Sequence, residues 1–198
     1  MSLTTHYENL GITKFEGYSQ EVPGQVSFLK RIVNDPNIKS VMEIGFNAGH
    51  SAEIFLSTNP SISLTSFDLG SHDYVQIGKE FIDKTYPNRH TLILGDSKQT
   101  VPNFIKDFPD KKFDLIFIDG GHEYETAKQD IMNCKMLAHK DTIVVMDDTI
   151  FFNPSFVVGW NIGPNQAWNE AISNSHILLQ GHEEYQWGRG NSWGKYKQ

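Results

Sequence analysis

The apolar residues of this chain alternate between two patterns. Short apolar runs typical of buried strands are each followed by a stretch with apolar residues at helical spacing. The strands are predicted at 40–45, 62–68, 91–94, 113–118 and 142–146, and the helices at 22–33, 50–57, 74–85, 98–108 and 124–138. Five such alternations predict a parallel sheet with right-handed crossovers and helices on both faces.

The two ends of the chain depart from this alternation. Residues 1–20 are polar and mixed, which favours a loosely attached arm or lid. Residues 149–166 combine aromatic side chains with Gly and Pro breaks, as in a loop that lines a pocket. Segments 176–181 and 185–193 have strand character and a short connection. We therefore expect a Rossmann-like, doubly wound, mostly parallel α/β sheet with a C-terminal antiparallel hairpin.

Composition and charge exclude several classes of protein. The chain carries 17 basic and 24 acidic residues, a net charge of −7, without the basic clusters that bind nucleic acid. No apolar run approaches the ~18 residues of a membrane span, and the N-terminus lacks a signal-peptide layout. The single cysteine, Cys134, fits a reducing compartment. We expect a cytoplasmic protein that binds neither nucleic acid nor membrane, and the oligomeric state stays open, a homo-oligomer included.

The turn after the first strand reads Glu43-Ile44-Gly45-Phe46-Asn47-Ala48-Gly49. Glycines allow a tight turn and a close approach of a ligand to the backbone. The start of the following helix favours a carboxylate or a phosphate. Glu43 would repel a pyrophosphate but attract an ammonium, so the turn suits an amino-acid head group. The alternative is that Gly45 and Gly49 only let the helix pack closely on the strand.

The next two strands also end in acidic residues. Asp68 ends the second strand, where a carboxylate can accept both hydroxyls of a ribose. Gly95-Asp96-Ser97 follows the third strand, where a side chain could meet an adenine amino group. The alternative role for Asp68 and Asp96 is a helix N-cap. A ligand that combines an amino-acid head group, a ribose and an adenine base is indicated, and S-adenosylmethionine has all three parts.

The run Glu43-x-Gly45-x-x-x-Gly49-x-Ser51-Ala52 resembles the first motif of class I S-adenosylmethionine-dependent methyltransferases. The resemblance is closest to the small cation-dependent O-methyltransferases typified by catechol O-methyltransferase, and it covers about residues 40–149. It implies cofactor contacts from the following residues: Glu43, Gly45, Phe46, Asn47, Gly49, Ser51, Asp68, Leu69, Gly95, Asp96, Ser97 and Asp119.

Acidic residues also follow the fourth and fifth strands. The resemblance implies that Asp119, Asp147 and Asp148 are metal ligands for Mg²⁺ or another divalent cation. Three carboxylates at neighbouring strand ends would repel one another without a cation or hydrogen-bond donors, and Mg²⁺ prefers oxygen ligands. The alternative is that Asp147 and Asp148 cap the next segment while Asp119 contacts only the cofactor.

His122 lies three residues after Asp119, where the catechol enzyme has its catalytic lysine. A histidine titrates near neutrality and could accept a hydroxyl proton. Asp119 is the second candidate for this catalytic role, and helix capping is the alternative role of His122. The departure from lysine argues against a catechol acceptor. His50, inside the first motif, either touches the cofactor or only begins a helix.

The sequence therefore predicts a methyltransferase that acts on an oxygen of a small hydroxylated acceptor with a divalent cation. One alternative is a nicotinamide-dependent oxidoreductase, although its G-x-G-x-x-G fingerprint requires glycine at position 47, which is Asn. Another is a non-catalytic cofactor-binding module. We expect a single domain, 1–198, made of an N-terminal arm and helix (1–38), a cofactor-binding core (39–149) and a substrate-side loop with the hairpin (150–198).

Overall fold

The computed structural model describes residues 1–197, which form one seven-stranded sheet flanked by helices. The strands are β1 Ser40–Ile44, β2 Ser63–Asp68, β3 His90–Leu94, β4 Phe113–Ile118, β5 Ala138–Met146, β6 Ile177–Glu184 and β7 Gly190–Tyr196. The helices are α1 Leu3–Asn9, α2 Pro23–Val33, α3 His50–Thr58, α4 Tyr74–Thr85, α5 Ser97–Asp107, α6 Tyr124–Lys135 and α7 Ile162–Ser173. In this part of the chain every helix is too short or too polar to span a bilayer.

The strand order is β3-β2-β1-β4-β5-β7-β6. Strands β1 to β5 are parallel, whereas β7 lies antiparallel between β5 and β6. The predicted α/β fold with a C-terminal antiparallel pair is thereby confirmed. The order reverses between β1 and β4, which is where open α/β sheets bind ligands. Ile44 pairs with Ile118, and Ile118 pairs with Met146, so β1, β4 and β5 end at the same edge.

Apolar side chains fill both faces of the sheet, because alternate residues of each strand point in opposite directions. In β4, Leu115 and Phe117 pack with residues of α1 to α4. Ile116 and Ile118 pack with residues of α5, α6 and α7. The helices therefore cover both faces, as the alternation of strands and helices predicts.

Two strands begin four or more residues from the predicted position. Strand β5 begins at Ala138 instead of residue 142, with an irregular register against β4 after Phe113. Strand β7 covers Gly190–Tyr196 instead of 185–193, because a turn with Trp187 at a φ of 63° precedes it. Neither irregularity has a signal in the apolar pattern.

The N-terminal segment is docked, and the prediction of a loosely attached arm is wrong. Leu3 and Tyr7 are fully buried on one face of α1. The Tyr7 hydroxyl lies 2.9 Å from the carbonyl oxygen of Ala48 and 2.8 Å from that of Tyr74. The backbone N–H of Leu3 donates to Glu53 at 2.8 Å. A helix of 7 residues is too short to show helical periodicity in the sequence.

We expect Leu3→Ala to lower the free energy of unfolding by about 2–5 kcal/mol, the usual cost of truncating a buried leucine. Leu10→Ala is the matched control, because Leu10 follows the same helix and is 53% exposed. Its effect should stay within about 0.5 kcal/mol. Urea unfolding of both variants measures the difference, and equal stabilities would contradict the docking of α1.

Candidate active site

The glycine turn between β1 and α3 lies against the end of β4. A Cβ placed on Gly45 would lie only 1.8 Å from the carbonyl oxygen of Asp119, and the φ of Gly45 is +96°. A Cβ on Gly49, whose φ is +88°, would lie 2.8 Å from the ring of Phe46. Internal packing therefore already accounts for both glycines, and their predicted contact with a cofactor stays a prediction.

Glu43 faces inward from β1. Ser51 donates a hydrogen bond to one carboxylate oxygen at 2.8 Å, and Ser66 donates to the other at 2.6 Å. Burial raises the pKa of Glu43 to about 7, against the lowering effect of these two hydrogen bonds. Glu43 is fully buried in this structure, and its predicted contact with the cofactor stays a prediction. Sequence reasoning missed Ser66, which has no motif of its own.

Asp68 lies at the edge of the sheet and holds two turns together. One carboxylate oxygen accepts the backbone N–H of Asn47 and the other accepts that of Gly70, both at 2.7 Å. Each oxygen keeps a free lone pair, so the position remains compatible with a ribose. Leu69, predicted beside it, is exposed.

The predicted adenine residues follow β3. Asp96 accepts the backbone N–H of Lys98 at 2.9 Å. It is therefore the N-cap of α5, the alternative role that the sequence leaves open for it. Gly95 has a φ of +129°, which permits the turn, and Ser97 is the first residue of α5. Their contact with adenine stays a prediction.

Residues 15–19, here called the strap, cross over the glycine turn. The side-chain amide of Asn47 donates to the carbonyl oxygens of Glu16 and Gly17, both at 2.7 Å. A pocket of only about 20 Å³ remains between the strap, the glycine turn and β4. Small-molecule sites usually measure about 300–1,000 Å³. A ligand of that size would therefore need the strap to move in order to bind here.

His50 lies beneath the strap. Its ring centroid is 4.5 Å from that of Tyr18 and 5.1 Å from that of Phe15. Neither ring nitrogen has a hydrogen-bond partner among residues 1–197. Burial lowers the pKa of His50 to about 4, so the imidazole is neutral at pH 7.

Asp119, His122 and Asp148 come together at the ends of β4 and β5. Each offers one ligand atom, and these atoms all lie within 4.8 Å of one another. Nε2 of His122 is 3.1 Å from Oδ2 of Asp148, and this contact raises the pKa of His122. Burial and the neighbouring carboxylates of Asp147 and Asp148 raise the pKa of Asp119 well above its usual value. Asp148 has a φ of +58°, a strained conformation that often marks functional sites.

Asp147, the other predicted metal ligand, is held by amide groups. Gln25 on α2 donates to its Oδ2 at 2.6 Å, and Asn191 on β7 donates to its Oδ1 at 2.9 Å. The backbone N–H of Asp148 donates to Oδ1 at 2.8 Å. In this structure the close group of three contains His122 and not Asp147, whose role as a ligand stays a prediction. Sequence reasoning missed Gln25 and Asn191 because neither lies in a motif.

Arg189 and Trp160 border the acidic group. Nη1 of Arg189 is 3.8 Å from Oδ1 of Asp148, and the guanidinium carbon lies 5.2 Å from the Trp160 ring centroid. The Trp160 ring is also 6.1 Å from that of His122. Trp160 belongs to the loop that the sequence predicts to line a pocket. Arg189, a positive charge beside several carboxylates, was missed because its strand end carries no recognised motif.

A family model described as a methyltransferase domain matches residues 42–149, more than half of the chain. The chain belongs to this methyltransferase family. The matched range agrees with the resemblance seen in the sequence at about 40–149. The nicotinamide-dependent alternative is left without support, since β7 between β5 and β6 also departs from the usual dinucleotide-binding strand order.

Solved structures of O-methyltransferases share the fold. TomG from Streptomyces achromogenes, in complex with SAM, has a TM-score of 0.73 at 13% identity, over 99% of this chain and 88% of that chain. The Bacillus cereus O-methyltransferase in complex with SAH has a TM-score of 0.71 at 13% identity, over 98% and 88%. CalS11, a TDP-rhamnose 3′-O-methyltransferase of calicheamicin biosynthesis, has a TM-score of 0.66 at 20% identity, over 89% and 82%. A sequence comparison with curated proteins gives no match.

The raised pKa of Glu43 predicts a pH dependence of stability. The carboxyl group binds a proton more tightly in the folded state, with a pKa of about 7 against 4.5. Its contribution to stability is therefore complete below pH 4.5 and is lost as the pH rises through 7. We expect the free energy of unfolding to fall by about 1.4 kcal/mol per pH unit in this window, relative to Glu43→Gln.

Urea unfolding between pH 4.5 and 8 measures this difference. Glu8→Gln, at an exposed position, is the matched control and should follow the wild-type curve. If the free energy of unfolding depends on pH in the same way in the wild type and in Glu43→Gln, the raised pKa of Glu43 is contradicted.

Proposed function

We propose that this methyltransferase transfers a methyl group from S-adenosylmethionine to a hydroxyl oxygen of a small acceptor. The observation that carries the proposal is the group Asp119, His122 and Asp148, at the same sheet edge as the glycine turn. Methyl transfer from a sulfonium is an in-line displacement, so the protein mainly has to align the acceptor oxygen with the methyl carbon and the sulfur.

The residues at this edge fit a divalent cation. Asp119 and Asp148 offer carboxylate oxygens, and Oδ1 of Asp148 is buried, has no hydrogen-bond partner among the described residues and faces the Arg189 guanidinium at 3.8 Å. Among the described residues Oδ2 of Asp147 accepts one N–H, from the Gln25 amide, so a lone pair could serve as a third oxygen ligand. A divalent cation held there would bind the acceptor hydroxyl and lower its pKa. An all-oxygen set suits Mg²⁺, whereas an imidazole in the set would favour Mn²⁺ or Zn²⁺.

We assign proton removal from the acceptor to His122. Its side chain is 44% exposed, whereas that of Asp148 is buried. Asp148 lies against Nε2 of His122 and orients the ring, the usual arrangement of a base with a second group behind it. Asp119 is the alternative proton acceptor, since it belongs to the same group. Trp160 provides a flat apolar wall next to His122 on which an acceptor could pack.

Calorimetric titration with S-adenosylhomocysteine, with and without Mg²⁺, tests the cofactor. We expect micromolar binding. Methyl transfer from labelled S-adenosylmethionine to a panel of catechols, phenols and sugar nucleotides then tests the reaction. No binding of S-adenosylhomocysteine to folded protein would contradict the cofactor assignment.

For an acceptor found in this way, Asp148→Asn should lower turnover by at least about 100-fold, because cation binding and orientation of the base are both lost. Its affinity for S-adenosylhomocysteine should stay unchanged. Asp141→Asn, at an exposed position in the first half of β5, is the matched control and should keep wild-type turnover. Full turnover by Asp148→Asn would contradict the acidic site.

A further inference from the structure

The imidazole of His50 is a buried polar group without a hydrogen-bond partner in the described part of the chain. The residue is 2% exposed, yet both ring nitrogens lack a hydrogen-bond partner among residues 1–197. Buried polar groups are normally hydrogen-bonded, and each exception calls for a reason. His50 is neutral because burial lowers its pKa to about 4, so one nitrogen carries an N–H that has no acceptor.

The position of His50 indicates which chemical group of a ligand would accept this hydrogen bond. His50 is the first residue of α3, a helix of 9 residues, and it lines the small pocket together with Asn47 and Ser51. The free N–H groups and the positive end of the helix dipole favour an anion at this place. The pocket also reaches Asp119, at the edge where the methyl group would be transferred. An anion here would belong to the part of the ligand that lies nearest the glycine turn.

The surrounding aromatic residues explain why the imidazole is unpartnered in this structure. Tyr18 and Phe15 of the strap pack on the ring, and the ring centroid of Tyr7 on α1 lies 5.9 Å away. None of these contacts supplies an acceptor for the ring N–H. The strap thus covers His50 while the pocket holds only about 20 Å³. Movement of the strap would open the pocket and uncover the imidazole at the same time.

We propose that His50 is a cofactor-binding residue whose imidazole N–H donates to the carboxylate of the methionine portion of S-adenosylmethionine. The proposal rests on the proposed function, since it names the residue that recognises one end of that cofactor. It assigns the carboxylate of the amino-acid end to the first turn of α3, next to Ser51, which donates to Glu43.

Two ligands separate this role from a purely structural one. S-adenosylhomocysteine carries the amino-acid end, whereas 5′-methylthioadenosine lacks it and keeps the adenosine. His50→Phe preserves an aromatic ring for Tyr18 and Phe15 but removes the N–H. We expect this variant to bind S-adenosylhomocysteine at least about tenfold more weakly, as for a lost hydrogen bond to a charged group. Its affinity for 5′-methylthioadenosine should equal that of the wild type.

A second variant adds a test of the donor itself. His50→Gln keeps an N–H donor and should recover part of the affinity for S-adenosylhomocysteine. The proposal is overturned if His50→Phe binds S-adenosylhomocysteine as well as the wild type does, or if both ligands weaken equally. Failure of the wild type to bind either ligand would instead refute the proposed function.

A measurement on the wild-type protein covers the case in which the variants do not fold. NMR of the ring nitrogens in ¹⁵N-labelled histidines should show one N–H that becomes protected from solvent exchange when S-adenosylhomocysteine binds. The same N–H should not become protected when 5′-methylthioadenosine binds. An unchanged His50 signal with bound S-adenosylhomocysteine would overturn the proposal.

Discussion

The close approach of two backbone segments, at Gly45 and at Asp119, is the constraint on which the site depends. Because a Cβ at position 45 would lie 1.8 Å from the Asp119 carbonyl oxygen, β1 and β4 can end side by side only with glycine there. This contact sets the glycine turn next to the acidic group, so the groups that would hold a methyl donor and those that would activate an acceptor share one edge. The parallel order of β1, β4 and β5 then brings Asp148 to the same edge.

The antiparallel strand β7 brings hydrogen-bond donors and a positive charge to the carboxylates at the ends of the parallel strands. Buried carboxylates at neighbouring strand ends repel one another, and burial alone already disfavours their charge. Insertion of β7 beside β5 brings Asn191 to Asp147 and Arg189 to Asp148. Gln25 reaches Asp147 from the other side. The C-terminal hairpin is therefore part of the site as well as the edge of the sheet.

The sequence predicted the parallel core well, because buried strands and amphipathic helices leave a local pattern. Helix α4 and strand β4 have the predicted bounds, and Asp119, His122 and Asp148 follow strands as expected. Contacts between distant segments left no such pattern. Gln25 and Asp147 are 122 residues apart, and the burial of His50 depends on a strap that local periodicity does not describe. The inward orientation of Glu43 was missed for the same reason, since it depends on Ser66 in another strand.

The strap lies between two fixed points, the docked helix α1 and the start of α2 at Pro23. A segment attached at both ends can lift locally but cannot leave the surface of the protein. Entry of a fresh cofactor and departure of the spent one would therefore use the same local opening. If the cofactor binds beneath the strap, as proposed, turnover could not exceed the frequency of that opening, however fast the chemical step is. An N-terminal segment of ordinary composition would then be a kinetic control element of the enzyme.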